Sequence, residues 1–380
     1  MYNLLELLRF MQEKNASDLH IRVGMPPIYR INGELVRVGT ELVSQEDVQK
    51  MTSRILTPNQ REIFEREYEL DFALSVSKIG RFRVNLFKQR GTYGLALRSV
   101  KMVIPSFKEL NLPKIMEKIA ENRRGLVLVT GITGSGKSTT LASIIDYINS
   151  TRAVNILTIE DPIEYIHKNK KSVIGQREIG ADTLSFSSAL RHALREDPDV
   201  ILIGEIRDAE TMQIALSAAD TGHLVLSTLH TLDSVQTIYR ILSFFPPYQH
   251  QEVRLLLSTT LRAIISQRLI PRSDMPGRVP AVEILIGTAA ICSCITDPEK
   301  TSEIKDLIAE GSVQYGMQTF DQSLMWLYRQ GKISLETALQ NASNPDDFKL
   351  RVAGIVGGAD RGWKEFEIEK KEETQETEKE

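Results

Sequence analysis

Leu4, Leu5, Leu7, Leu8, Phe10 and Met11 recur at the spacing of one helix face, which predicts an amphipathic helix over residues 1–14. Asn15 to Val23 then turns into a strand, broken by Met25-Pro26-Pro27. Between Ile28 and Val38 two alternating segments flank Asn32-Gly33, a strong short-range hairpin signal. Ser44, with Asp47 three residues on, supplies the capping chemistry of a helix running roughly to Ile55, and a second helix follows Thr57-Pro58. Leu70–Val76, Gly80–Lys88 and Gly94–Ser99 alternate as short strands do. Residues 1–100 are therefore expected to form a mixed α/β unit around an antiparallel sheet.

Residues 101–114, marked by Pro105 and Pro113, read as a connector. Beyond it, over residues 115–362, the pattern changes. Apolar runs at Leu126–Thr130, Ala153–Ile159, Val200–Ile203 and His223–Thr228 alternate with helical stretches, which predicts parallel crossover units. Gly180 to Leu184 is polar and turn-like before a helix from Phe186 to Arg195. The last stretch, 363–380, holds eight Glu against four Lys and is expected to be disordered.

Composition adds exclusions. The chain has 380 residues, long enough for two domains, with 42% hydrophobic and 26% charged residues. A net charge of -3 demands neither nucleic acid nor an anionic membrane. Cys292 and Cys294 are too close for an easy disulfide and too few for a zinc site of about four ligands, which favours a reducing compartment. Glu6 and Arg9 interrupt the first apolar pattern, unlike a signal peptide. No apolar run approaches the ~18 residues that span a bilayer, so membrane association is expected through a partner.

The chemistry centres on Gly125 to Ile144, GLVLVTGITGSGKSTTLASI. Leu126 to Thr130 reads as a strand buried on both faces. Gly131-Ile132-Thr133-Gly134-Ser135-Gly136-Lys137-Ser138 matches G-x-x-x-x-G-K-[ST], and a helix with Thr139 on its first turn follows. Glycines allow backbone angles closed to other residues, and successive amides with the helix N-terminus offer positive partial charge to phosphate. Lys137 suits the β- and γ-phosphates of ATP, and the Ser138 hydroxyl suits Mg²⁺.

Three further blocks follow. Asp197 to Asp208 contains an apolar strand ending at Gly204-Glu205, a Walker B pattern whose acid belongs near Mg²⁺, usually through water. Leu157 to Tyr165 brings Glu160, Asp161 and Glu164 to the end of an adjacent parallel strand, where either glutamate can orient or deprotonate water. His223 and His230 bracket the last apolar run at an odd separation, which points them to opposite faces at opposite ends and argues against a shared metal.

These blocks, in this order, resemble the secretion and pilus ATPases of the type II/IV secretion superfamily, most closely the type IV pilus retraction ATPases of the PilT and PilU type. Ala16-Ser17-Asp18-Leu19-His20-Ile21, Arg30-Ile31-Asn32-Gly33, Gly80-Arg81-Phe82-Arg83-Val84-Asn85 and Gly316-Met317-Gln318-Thr319-Phe320 carry the same resemblance. It implies a RecA-like P-loop ATPase core at 115–362 with a smaller, PAS-like α/β domain before it. It assigns Glu164 to water activation, Glu205 to the Walker B acid, and His223 and His230 to the family's His box. It also assigns Arg83 and Arg98 to contacts with the nucleotide's phosphates across a cleft. The implied partners are further copies in a homohexamer, an inner-membrane pilus platform protein and a paralogous retraction ATPase, in the cytoplasm at the pilus base.

The departure is Ala289 to Ile295, where Cys292-Ser293-Cys294 stands in place of the family's Arg-Asn-Leu. With the acidic tail, it leans the reading toward the accessory, PilU-like paralogue. A pilus-extension or type II secretion assembly ATPase is the alternative, though those relatives carry a larger N-terminal region and often a four-cysteine zinc insertion. A RecA-like nucleic-acid motor would need a basic stripe or stacking aromatics, and none is evident. A nucleotide-gated scaffold without turnover fits poorly with so complete a set of acids and arginines.

Overall fold

The structure, a computed structural model, describes residues 2–355; the acidic stretch 363–380 lies outside the described residues. The chain divides into two compact units: Met1–Val103 with Ile163–Ile166, and Ile104–Pro162 with the chain from His167 onward.

In the smaller unit, β1 (Asp18–Arg22), β2 (Ile28–Ile31), β3 (Glu34–Arg37), β4 (Glu69–Val76), β5 (Gly80–Gln89) and β6 (Thr92–Ser99) form one sheet in the order β3-β2-β1-β6-β5-β4. All its pairs are antiparallel. Asn32 and Gly33 turn the β2–β3 hairpin with φ of 51° and 88°, the left-handed angles that Asn-Gly tolerates. Helix α1 (Leu4–Glu13) buries Leu4, Leu7, Leu8 and Met11 against Leu19, Ile21, Leu95 and Leu97. Ser44 and Asp47 form a reciprocal capping box at α2 (Gln45–Ile55), and Thr57 with Gln60 does the same for α3 (Pro58–Glu67).

In the larger unit, β7 (Gly125–Thr130), β8 (Asn155–Glu160), β9 (Val173–Glu178), β10 (Val200–Ile203), β11 (Leu224–Leu229), β12 (Leu261–Pro271) and β13 (Arg278–Ile286) form a sheet in the order β13-β12-β7-β11-β10-β8-β9. Every pair is parallel except β12–β13. Alternate residues of β7 serve two cores, as a strand covered on both faces requires. Leu126 and Leu128 join one core with Met212, Leu216 and Leu257, whereas Val127 and Val129 join another with Ile144, Ile145 and Ile148. Helices α4 (Ile115–Ala120) and α5 (Lys137–Thr151) line the second face. On the first lie α6 (Phe186–Ala193), α7 (Ala209–Asp220), α8 (Ser234–Ser243), α9 (His250–Thr260) and α10 (Ala289–Thr296). Phe320, Leu324, Leu327 and Phe348 build a further cluster over Ile270 and Val279.

The division falls inside the 101–114 connector, after Val103, because Phe107 and Leu112 are buried beside Met116 and Ile119 in the larger unit. Ile163–Ile166 belongs to the smaller unit: Tyr165 bridges Lys101, and the Ile166 amide donates to the Lys101 carbonyl at 3.0 Å. The sheet is also wider than the four apolar runs implied. Edge strand β9 is mostly polar after Ile174, and β12–β13 adds an antiparallel margin.

Candidate functional site

Parallel pairing puts the C-terminal ends of β7, β8, β10 and β11 along one edge of the larger sheet, where sites form in such folds. From that edge emerge the glycine-rich loop, Glu160, Gly204-Glu205 and His230. His223 precedes β11 and so stands at the other end of the strand, roughly 20 Å away at the usual rise over six residues. Its Nδ1 lies 3.0 Å from the Ala218 carbonyl, and its own carbonyl accepts the Gly125 amide. The structure therefore brings His230, not His223, to the site edge.

The loop is shaped by contacts from β12. Gly131 has φ 142°, and a Cβ there would meet the Gln267 carbonyl at 2.4 Å and Ser135 Oγ at 2.5 Å. Gly134, at φ 78°, faces open space, with nothing within 4 Å of its Cβ position. Gly136, at φ 94°, caps α5 without a side-chain hydrogen bond, so the first helical amides are available to an anion. Lys137 is buried and donates Nζ to the carbonyls of Gly131 at 2.8 Å and Ile132 at 3.0 Å. Ser135 Oγ is buried without a hydrogen-bond partner. Thr133 sits exposed on the loop, while Ser138 and Thr139 are half-buried on the first turn. A buried hydroxyl awaiting a partner, a folded lysine and an uncapped helix start together fit a phosphate chain.

Sequence reasoning missed what braces this cradle. Thr140 Oγ1 donates to Gln267 Oε1 at 2.8 Å, and Thr130 Oγ1 donates to Ser266 Oγ at 2.9 Å. These contacts span more than a hundred residues, so local pattern carries no trace of them.

At the neighbouring strand ends the acids are differently held. Glu205 Oε1 pairs with Arg207, and its Oε2 lies 3.4 Å from His230 Nε2. The hydrogen bond to Glu205 raises the Arg207 pKa. Gly204 allows the approach, since a Cβ there would stand 3.3 Å from Glu160 Cα. Glu160 Oε1 accepts from Thr158 Oγ1 at 2.7 Å and from Gln176 Nε2 at 3.2 Å. In the smaller unit, Glu164 lies 4.0 Å from the Arg83 guanidinium, which also donates to the Ile163 carbonyl at 3.3 Å. Arg98 pairs with Asp18 at 2.8 Å. Burial pushes the Asp18 pKa up, but hydrogen bonds from Arg98 and Ser17 outweigh it and hold the carboxyl below its ordinary value.

Among the described residues no group of three or more His, Cys, Asp and Glu is placed to hold a metal ion. The oxygen donors present, the Ser138 hydroxyl and Glu205, suit Mg²⁺, which takes few protein ligands and completes its shell with phosphate and water. Among the described residues no helix is long and apolar enough to cross a membrane.

The chain is similar to known proteins. The family model described as "Type II/IV secretion system protein" matches residues 4–325. The chain is 44% identical over 346 residues to the type IV pilus retractation ATPase PilT of Pseudomonas aeruginosa, covering 91% of this chain and 100% of that protein. It is also 44% identical over 347 residues to the type IV pilus ATPase PilU of the same organism, covering 91% and 90% respectively. Among solved structures, the pilus retraction motor PilT with bound ADP matches with a TM-score of 0.83 at 46% identity, over 91% of this chain and 99% of that one. With that coverage, and with the nucleotide cradle at the head of its parallel sheet, the chain belongs to the type II/IV secretion system protein family of ATPases.

Proposed function

We propose that this chain is an ATPase motor that hydrolyses ATP to drive type IV pilus retraction. The observation that carries the chemistry is the cradle of buried Lys137, orphaned Ser135 Oγ and uncapped α5 amides at the end of β7. In this reading Lys137 exchanges its loop carbonyls for the β- and γ-phosphates, and Gly131, Thr133, Gly134, Ser135, Gly136 and Thr139 shape or donate to the phosphate site. Ser138 and Glu205 would hold Mg²⁺, the latter through water, and the ion would neutralise charge between phosphate oxygens. Glu164, or Glu160, orients and deprotonates the attacking water. His230 stands beside Glu205, at the strand end that would sense the γ-phosphate. Arg83 and Arg98 supply cations to the transferring phosphoryl group.

The proposed assembly is a homohexamer. It works at the cytoplasmic face of the inner membrane, on a pilus platform protein and beside a paralogous ATPase. The accessory role rests on α10. Ile291, Cys294 and Ile295 are buried there, so the inward half of the motif keeps its packing. Cys292 is half-buried and Ser293 exposed, so the outward half has lost the Arg and Asn usual in retraction ATPases.

The test is phosphate release by Lys137→Ala. No other loop side chain is cationic, so turnover should fall well beyond tenfold with the fold intact. Turnover within about tenfold of the parent, ~1.4 kcal/mol of barrier, would overturn the site.

A further inference from the structure

Gln176 lies on β9 opposite Thr158 of β8 in the parallel register. Its side-chain amide joins a carboxylate on β8 to the backbone of a residue nine positions upstream. Nε2 donates to Glu160 Oε1 at 3.2 Å, and Oε1 accepts the backbone N–H of His167 at 2.9 Å. These partners fix which way the amide points. A backbone N–H only donates and an ionised carboxylate only accepts, so the oxygen must face His167 and the nitrogen Glu160. No other residue type of this length serves both ends. Glutamate would accept from His167 but repel Glu160, lysine would do the reverse, and methionine would do neither.

The position of His167 gives this bridge its meaning. It is the first residue after Ile163–Ile166, the four that pack in the smaller unit and carry Glu164. One side chain therefore holds the Glu160 carboxylate at one end and is itself anchored by the His167 main chain at the other. Glu160 is a candidate for water activation, and placement errors of about 1 Å in such groups can cost ~100-fold in rate.

We infer that Gln176 is a positioning residue for ATP hydrolysis, setting the Glu160 carboxylate with one end of its amide while the His167 N–H anchors the other. The inference rests on the proposed role of Glu160. It predicts an effect on the chemical step rather than on nucleotide binding, because Gln176 lies outside the phosphate loop.

The experiment compares Gln176→Met and Gln176→Glu in the full chain by steady-state ATP hydrolysis across pH, with binding of a fluorescent ADP analogue alongside. Gln176→Met should lower kcat by about tenfold or more with KM for ATP and analogue affinity within about threefold. Gln176→Glu should also shift the acid limb of the pH–rate profile upward, since a second carboxylate makes the Glu160 proton harder to lose. The inference is overturned by kcat within about twofold for Gln176→Met, or by a loss of kcat matched by an equal loss of affinity with the acid limb unmoved. Should Gln176→Met fail to fold, the position of the acid limb in Gln176→Glu decides alone. Full turnover in Lys137→Ala would instead remove the nucleotide-site reading itself, a result separable from either outcome at Gln176.

Discussion

Two glycines of the phosphate loop should respond very differently to the same added methyl group. At Gly131 an alanine Cβ would stand 2.4 Å from the Gln267 carbonyl and 2.5 Å from Ser135 Oγ, at a φ of 142°. The carbonyl belongs to β12, which is paired on both sides and has no room to retreat. Backbone strain of about 1–3 kcal/mol and overpacking of about 1–3 kcal/mol then add to roughly 2–6 kcal/mol. At Gly134 a Cβ meets nothing within 4 Å, and only the φ of 78° is unfavourable. An L-residue in that left-handed region costs roughly 1–2 kcal/mol. Urea unfolding followed by far-UV circular dichroism should therefore rank Gly131→Ala well below Gly134→Ala. ATP affinity should fall in both, because each strains the backbone of the proposed phosphate loop. Equal unfolding midpoints for the two variants would refute the claim that β12 shapes the loop from behind.

Glu164→Gln should bind Mg-ATP but hydrolyse it at least about 100-fold more slowly, in single-turnover assays, because the amide keeps the shape and loses the base. If Glu205→Gln behaves so and Glu164→Gln does not, the two acids are reversed. Asp18 has a folded pKa held below its ordinary 3.8, so its pairing stabilises the fold above that value and the contribution is lost as pH falls through the folded pKa. Asp18→Asn should flatten the acid side of the stability curve, measured by urea midpoints from about pH 6 to about pH 3; an unchanged slope refutes the linkage. On the proposed ring, mixing Arg83→Ala with Lys137→Ala subunits should give turnover that varies nonlinearly with composition. A fully active monomer in light scattering excludes it.

Local codes were legible and distant ones were not. The Asn32-Gly33 hairpin and the Ser44 capping box depend on residues within a few positions of each other, and both stand where their patterns place them. The run Leu126 to Thr130 needed only its unbroken hydrophobicity to announce a strand covered twice. The seven-residue spacing of His223 and His230 likewise set them at opposite ends of β11. Edge strand β9 escaped because Gly175, Gln176, Arg177 and Glu178 hide its alternation. Gln267 behind the loop, and Arg207 on Glu205, are products of tertiary pairing that no window of sequence contains. Ile163–Ile166 escaped for the same reason: its apolar residues fit equally well in either unit until Lys101 pairs with Tyr165.

That last pairing limits how this protein can be taken apart. The smaller unit is not a cassette bounded by one cut at Val103, because four of its residues are encoded sixty positions later. A chain begun at Ile104 would keep Tyr165 and Ile166 but lose the Lys101 backbone that they pair with. Ile163 and Tyr165, 2% and 5% exposed in the whole protein, would then be without the unit they belong to. Stickiness in such a truncated ATPase would reflect this orphaned tetrapeptide rather than an unstable core. Grafting the smaller unit onto another scaffold meets the mirror problem, since residues 163–166 would be left behind. Recombination within the family is thus expected to exchange the two units together, or to carry the 163–166 insert along with the first.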